Sequence, residues 1–189
     1  MCVLKKYIDS KKKKHSSNLT SKSNFANLTN YLFANLQDIF IFVLISAILI
    51  FLDQVSKFLV RSRMSLGESI PLINNIFHLT FVFNQGAAFG ILQNMKFLFI
   101  FVAIFIIGVM IYYFKYILRD RFLLVVCAVV FGGTVGNLID RILFSKVIDF
   151  FDFRIWPVFN VADMCLSIGI VLLIIYFWRI DLDLKQNNN

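Results

Sequence analysis

The chain has 189 residues, enough for one domain and too few for two comfortable ones. Apolar residues make up 59% of it and charged residues 16%, against roughly 45–50% and about 25% in soluble globular proteins. With 23 Phe and a mean hydropathy of +0.79, it carries more apolar surface than one water-soluble core of this size can hide, which excludes an ordinary cytosolic domain.

The net charge of +8 is unevenly placed. Residues 1–36 hold seven Lys against one Asp, and the other 153 residues carry only +2. A nucleic-acid reader needs its basic residues on a folded face, so no nucleic-acid partner is expected. Residues 1–36 read as a polar, Lys-rich cytoplasmic tail, with Lys11 to Lys14 either solvated or drawn to an anionic leaflet. A membrane-embedded domain is expected over 37–180, and a second polar tail over 181–189.

Crossing about 30 Å of hydrocarbon takes about 20 apolar residues. Four stretches reach that length: about Ile39 to Val60, Lys96 to Phe114, Phe122 to Leu138, and Val161 to Trp178. The first lacks a small-residue cleavage site after a short apolar core and reads as a retained span. In it, Asp53 and Lys57 are four apart and share a helix face, fit for an ion pair that tethers helices or lines a cavity. The turn from Lys115 to Arg121 is dense in basic residues, the N-terminal tail has seven Lys and the C-terminal end has Arg179 and Lys185, whereas the long connections 61–95 and 139–160 hold only Arg61, Arg63, Arg141, Lys146 and Arg154. Both termini are therefore expected in the cytoplasm and the two long connections outside. The fold class expected is an all-α integral membrane protein of four spans with a small extracytoplasmic β element. That element falls at Ile76–Phe83, rich in β-branched and aromatic residues, before the turn-prone Asn84-Gln85-Gly86-Ala87-Ala88-Phe89-Gly90.

Polar groups at membrane depth cost ~2.5–3.5 kcal/mol for an Asp at a helix centre, so their positions are informative. The third span ends Gly132-Gly133-Thr134-Val135-Gly136-Asn137-Leu138-Ile139-Asp140-Arg141, with glycines that permit close helix approach. The fourth begins Phe159-Asn160-Val161-Ala162-Asp163, and Val147–Phe153 sets Asp149 and Asp152 among large apolar side chains. Asp140, Asp149, Asp152 and Asp163 suit interfacial acids, helix caps and Arg partners. The apolar setting of Asp149 and Asp163 also suits two carboxylates that share one proton, one a general base and the other an acid. Catalysis by Ser-His or Cys-His pairs is disfavoured because His15 and His78 are the only histidines. Neither cysteine spacing nor ligand clustering points to a disulfide, a metal or another cofactor. Spacing alone leaves three readings open: an aspartyl hydrolase, an ion-coupled transporter component, and a non-enzymatic polar core or assembly factor.

Five segments in order are similar to those of a known family: Asp53-Gln54-Val55-Ser56-Lys57, Phe83-Asn84-Gln85-Gly86-Ala87-Ala88-Phe89, Gly132-Gly133 through Gly136-Asn137-Leu138-Ile139-Asp140-Arg141, Val147-Ile148-Asp149-Phe150, and Phe159-Asn160-Val161-Ala162-Asp163. From about residue 38 to 178 the chain resembles lipoprotein signal peptidase, or signal peptidase II, a bacterial membrane aspartyl protease family; residues 1–36 lie outside the resemblance. It implies an enzyme of the cytoplasmic (inner) membrane that cleaves lipid-modified prolipoproteins just before a diacylglyceryl cysteine, at the extracytoplasmic side. It implies Asp149 and Asp163 as the catalytic pair, Asn137, Asp140, Arg141 and Asn160 as supporting polar residues, Asn84 and Gly86 as a substrate-contacting loop, and Asp53 with Lys57 as a first-helix pair. Prolipoprotein substrates and membrane lipids are the partners expected of it, with the protein a monomer that uses neither metal nor cofactor.

Overall fold

The computed structural model describes residues 24–86 and 92–186. The tail's Lys11–Lys14, Cys2 and His15, and the turn residues Ala87 to Gly90, lie outside the described residues. Four helices are long and apolar enough to cross a membrane: α1 (Asn24–Arg63), α2 (Lys96–Ile117), α3 (Arg121–Phe144) and α4 (Val161–Gln186). Strands β1 (Ser69–Ile73), β2 (Phe77–Asn84) and β3 (Val147–Asp152) form one antiparallel sheet in the order β1-β2-β3.

The helices run further than the apolar stretches. α1 begins at Asn24, within the stretch read as a tail, and α4 continues to Gln186. Neither extension contains Gly or Pro, so nothing local stops a helix once the span has nucleated it. α3 does have clear ends. Asp120 accepts the Phe122 and Leu123 amides at 3.0 and 3.1 Å, capping its N-terminus, and Ser145 closes it in the left-handed region at φ 61°.

α3 is the central helix. It packs against each of the other three and buries most of its spanning window, while only a small share of each of theirs is buried. Gly133 and Gly136 make this possible: a Cβ on Gly133 would lie 2.6 Å from the Ala162 carbonyl oxygen, and one on Gly136 2.6 Å from Asp53 Oδ2. Such contacts bring backbone close to backbone where lipid supplies no hydrophobic drive. The core beneath contains Phe42, Met110, Leu124, Cys127, Ala128 and Ile180.

The expected strand is β2, and the sheet adds two strands not read from the sequence. β1 forms a hairpin with β2 through a turn that holds Asn75 at φ 60°. β3 lies within the second long connection. Its first four residues are buried, with Ile148 and Phe150 packed on Val60 and Phe81, so the outside-inside alternation that marks a half-buried strand is missing.

Candidate active site

The β2–β3 register supplies the first contact of the site. Val82 pairs with Asp149 and Asn84 with Val147, which makes Asn84 a diagonal neighbour of Asp149 on one sheet face. Asn84 Nδ2 donates to Asp149 Oδ2 at 2.9 Å, and Asn84 Oδ1 accepts the Gly86 amide at 2.9 Å. The second carboxylate comes from the start of α4. Asp163 Oδ2 accepts the Asn160 amide at 3.3 Å and Asn160 Oδ1 accepts the Asp163 amide at 2.9 Å, a reciprocal cap of the helix N-terminus. Asn160 then links the acids: its Nδ2 donates to Asp149 Oδ1 at 2.6 Å and to Asn137 Oδ1 at 3.2 Å. Asn137 Nδ2 in turn donates to Asp163 Oδ1 at 2.7 Å.

Beneath lies a buried ion network. Lys57 Nζ sits 2.8 Å from Asp53 Oδ2, 3.1 Å from Asp140 Oδ2 and 3.1 Å from Asn137 Oδ1. Lys57, Asp53 and Asp140 are each 1% exposed, so the three charges need one another. The two carboxylates accept further hydrogen bonds. Asp53 Oδ1 accepts the Ala162 amide at 2.9 Å, Asp140 Oδ2 accepts the Ile148 amide at 3.0 Å, and Gln54 Nε2 lies 3.1 Å from both Asp53 Oδ2 and Asp140 Oδ1. These bonds tie α1, α3, β3 and α4 together directly below the acids. Lys57 also orients Asn137: its donation to Oδ1 leaves the Asn137 amide nitrogen to face Asp163.

Asp149, Asp163, Asn84, Gly86, Asn137 and Arg141 all line one cavity of about 640 Å³. Its remaining wall is largely apolar, with Phe99, Val102 and Ile106 from α2, Met164 and Ile168 from α4, and Trp156 to Phe159 from the loop after β3. The Arg141 guanidinium lies 4.6 Å above the Phe99 ring and donates to the Asn137 carbonyl at 3.3 Å. Burial, then the charge of Asp163, pushes the Asp149 carboxyl up to about 7 against the pull of the Asn84 and Asn160 hydrogen bonds and of Lys57. Among the described residues no three His, Cys, Asp or Glu side chains group as metal ligands.

The structure brings the ten residues expected to catalyse, support or contact substrate together in two tiers. Asn84, Gly86, Asn137, Arg141, Asp149 and Asp163 line the cavity, and Asn160, which is fully buried, bridges the two acids. Asp53, Lys57 and Asp140 lie under it. Asp152 is separate: three residues from Asp149 along a strand, it points to the other face, where Thr80 Oγ1 donates to it at 2.7 Å and Arg154 pairs with it at 3.4 Å. His78 is buried beside Ser69 and Arg154. Sequence reasoning gave no separate role to Gln54, although its place between Asp53 and Lys57 put it within the same polar turn. It also missed the wall at Trp156–Phe159, whose composition carries no signal of a pocket.

Comparison with known proteins places these features in a wider set. A family model described as "Signal peptidase (SPase) II" matches residues 45–179. The chain is similar to the lipoprotein signal peptidase of Halothermothrix orenii, at 47% identity over 132 residues, 70% of this chain and 91% of that protein. It is similar to that of Brevibacillus brevis at 44% over 149 residues, 77% of this chain and 98% of the other. Two solved structures of bacterial membrane enzymes share its fold at 35% identity. Their TM-scores are 0.69 and 0.66, covering 73% and 72% of this chain and 87% and 91% of theirs.

Proposed function

Since the chain belongs to the signal peptidase II family of aspartic membrane peptidases, we propose that it removes signal peptides from diacylglyceryl-modified prolipoproteins, cutting just before the lipidated cysteine, with Asp149 and Asp163 as the working acids. The observation that carries the reading is the convergence of both carboxylates on one cavity, each held by an asparagine amide and the two joined through Asn160.

Two buried carboxylates facing one largely apolar cavity cannot both ionise cheaply, so the pair holds a single proton between them. The ionised partner takes a proton from a water whose oxygen attacks the scissile carbonyl carbon. The protonated partner donates to the carbonyl oxygen as it turns tetrahedral. Collapse breaks the C–N bond: one diol hydroxyl returns its proton to the now ionised partner as the C=O re-forms, and the partner that took the water's proton passes it to the leaving nitrogen, so the pair again holds one proton. Asn84, Asn137 and Asn160 hold the carboxylates in place, which preserves the geometry that proximity effects need. Arg141, which lines the same cavity beside the acids, is placed to receive a polar group of the substrate.

The apolar wall accounts for the substrate class. Between α2 and α4 the cavity is lined by Phe99, Val102, Ile106, Met164 and Ile168, surface that suits acyl chains and an apolar signal segment arriving sideways through the bilayer. The membrane is the bacterial cytoplasmic (inner) membrane, with the sheet and acids at its outer face and both termini in the cytoplasm. The test is cleavage of a diacylglyceryl-modified precursor by purified protein in lipid nanodiscs, with the unmodified precursor as the second arm. Release of the signal peptide from the modified precursor alone is expected. Equal cleavage of both arms would remove the lipid from the specificity, and an active Asp149→Asn or Asp163→Asn variant would remove that acid from the mechanism.

A further inference from the structure

The loop from Phe153 to Phe159 carries one wall of the cavity, yet its middle is poorly buried: Ile155 is 93% exposed and Trp156 59%. Its far end is fixed to the sheet by backbone, with the Phe151 amide donating to the Phe159 carbonyl at 2.8 Å and the Phe159 amide donating back at 3.1 Å. Its near end is fixed by a side-chain cluster. Asp152 Oδ1 accepts the Arg154 amide at 2.8 Å, and Oδ2 accepts from Thr80 Oγ1 at 2.7 Å and from Arg154 Nη1 at 3.4 Å. The other guanidinium nitrogen, Nη2, lies 3.1 Å from His78 Nδ1. A guanidinium only donates, so His78 Nδ1 is the acceptor in this contact. Arg154 itself lies at φ 66°, a left-handed backbone that a non-glycine residue holds at a cost.

This cluster has no place in the chemistry, because Asp152 faces away from Asp149 across β3. What it does is close the turn from which Trp156, Pro157, Val158 and Phe159 extend along the cavity. We propose that Arg154, held by Asp152 and His78, is a positioning residue that sets the place of the Trp156–Phe159 wall and so the affinity for the substrate segment beside it. The inference rests on the peptidase reading above.

Arg154→Gly is the informative variant, because glycine takes the left-handed backbone without strain while the guanidinium is lost. It is compared with Arg154→Lys, which keeps a cation, in a Trp178→Phe background where Trp156 is the one remaining tryptophan. With modified precursor, Arg154→Gly should raise KM about three- to tenfold, the scale of one half-exposed ion pair with its charged hydrogen bonds, and leave kcat within about twofold. Trp156 fluorescence should lose anisotropy and become more open to acrylamide, and Arg154→Lys should restore part of both. A wild-type KM and an unchanged Trp156 signal in Arg154→Gly would overturn the proposal, and so would a fall in kcat at constant KM. If the unaltered protein cleaves neither precursor, the peptidase reading fails instead; precursor binding followed through Trp156 then decides the affinity claim by itself.

Discussion

Asn84 shows how much a single side chain can set at this site. Its amide donates to Asp149 at 2.9 Å and favours the ionised carboxylate, while burial and then the Asp163 charge favour the protonated one and win, pushing the group up to about 7. Asp149 therefore keeps its proton below about pH 7 and releases it above. A pair that needs one proton loses activity as the pH rises through that value, so kcat/KM should decline on the alkaline side of about 7. Asn84→Ala removes a bond to the charged form, so the alkaline limb should move to higher pH; a limb that stays put or moves down would show that Asp149 does not set it. Asp149→Asn and Asp163→Asn should each lower kcat by at least about 10²-fold, the low end for general acid–base catalysis, with insertion intact. Asp152→Asn, altered on the opposite face of the strand, should keep kcat within a few-fold. Steady-state assays in one lipid system decide all of these.

At the level of elements, the close contacts of α3 with α1 and α4 position the acids. Gly136→Ala would set a methyl group 2.6 Å from Asp53 Oδ2, a carboxylate already committed to Lys57 and bonded to the start of α4 through its other oxygen. Overpacking of this kind costs about 1–3 kcal/mol, and the thermal midpoint in detergent should fall accordingly. Gly108 on α2 has nothing within 4 Å of an added Cβ, so Gly108→Ala serves as the control and should be neutral or slightly stabilising in a helix interior. Lys57→Met is the harsher change. It leaves Asp53 and Asp140 as unpaired buried charges, and breaking a buried ionic group by removing one partner costs about 3–5 kcal/mol. Failure to accumulate folded protein is the expected outcome, and a normal yield with a normal midpoint would mean that the network is dispensable.

The whole molecule is a bundle whose outer surface is built for lipid. Phe97, Phe101, Ile111, Ile174 and Trp178 are all well exposed, and only α3 is wrapped by protein. Orientation follows as an expected outcome of the positive-inside rule. A cysteine placed at Glu68, exposed beside β1, should react with a membrane-impermeant maleimide from outside intact cells. One placed at Arg119, exposed in the α2–α3 turn, should react only after permeabilisation. The reverse pattern would invert the proposed topology. Cys127 and Cys165 are buried, and Cys2 is replaced by Ser in both variants so that the introduced thiol is the one that reports.

Much of this was legible in the residues themselves, for a reason that lipid imposes. A polar group in hydrocarbon is costly, so Asp53, Lys57, Asn137 and Asp163 stand out against their apolar neighbours as residues with a purpose. The four spans were legible for the same reason, but their ends were not, because no breaker residue marks Asn24 or Gln186 as a boundary. β3 was hidden because burial on both of its faces erases the alternation by which a strand is recognised. The sequence alone determined membrane residence, the number of spans and the set of polar residues, since these depend on composition along a line. Only tertiary structure decided that Asp149 and Asp163 open onto one cavity while Asp152 turns away, because that depends on strand register, on a helix cap and on how near three helices can approach.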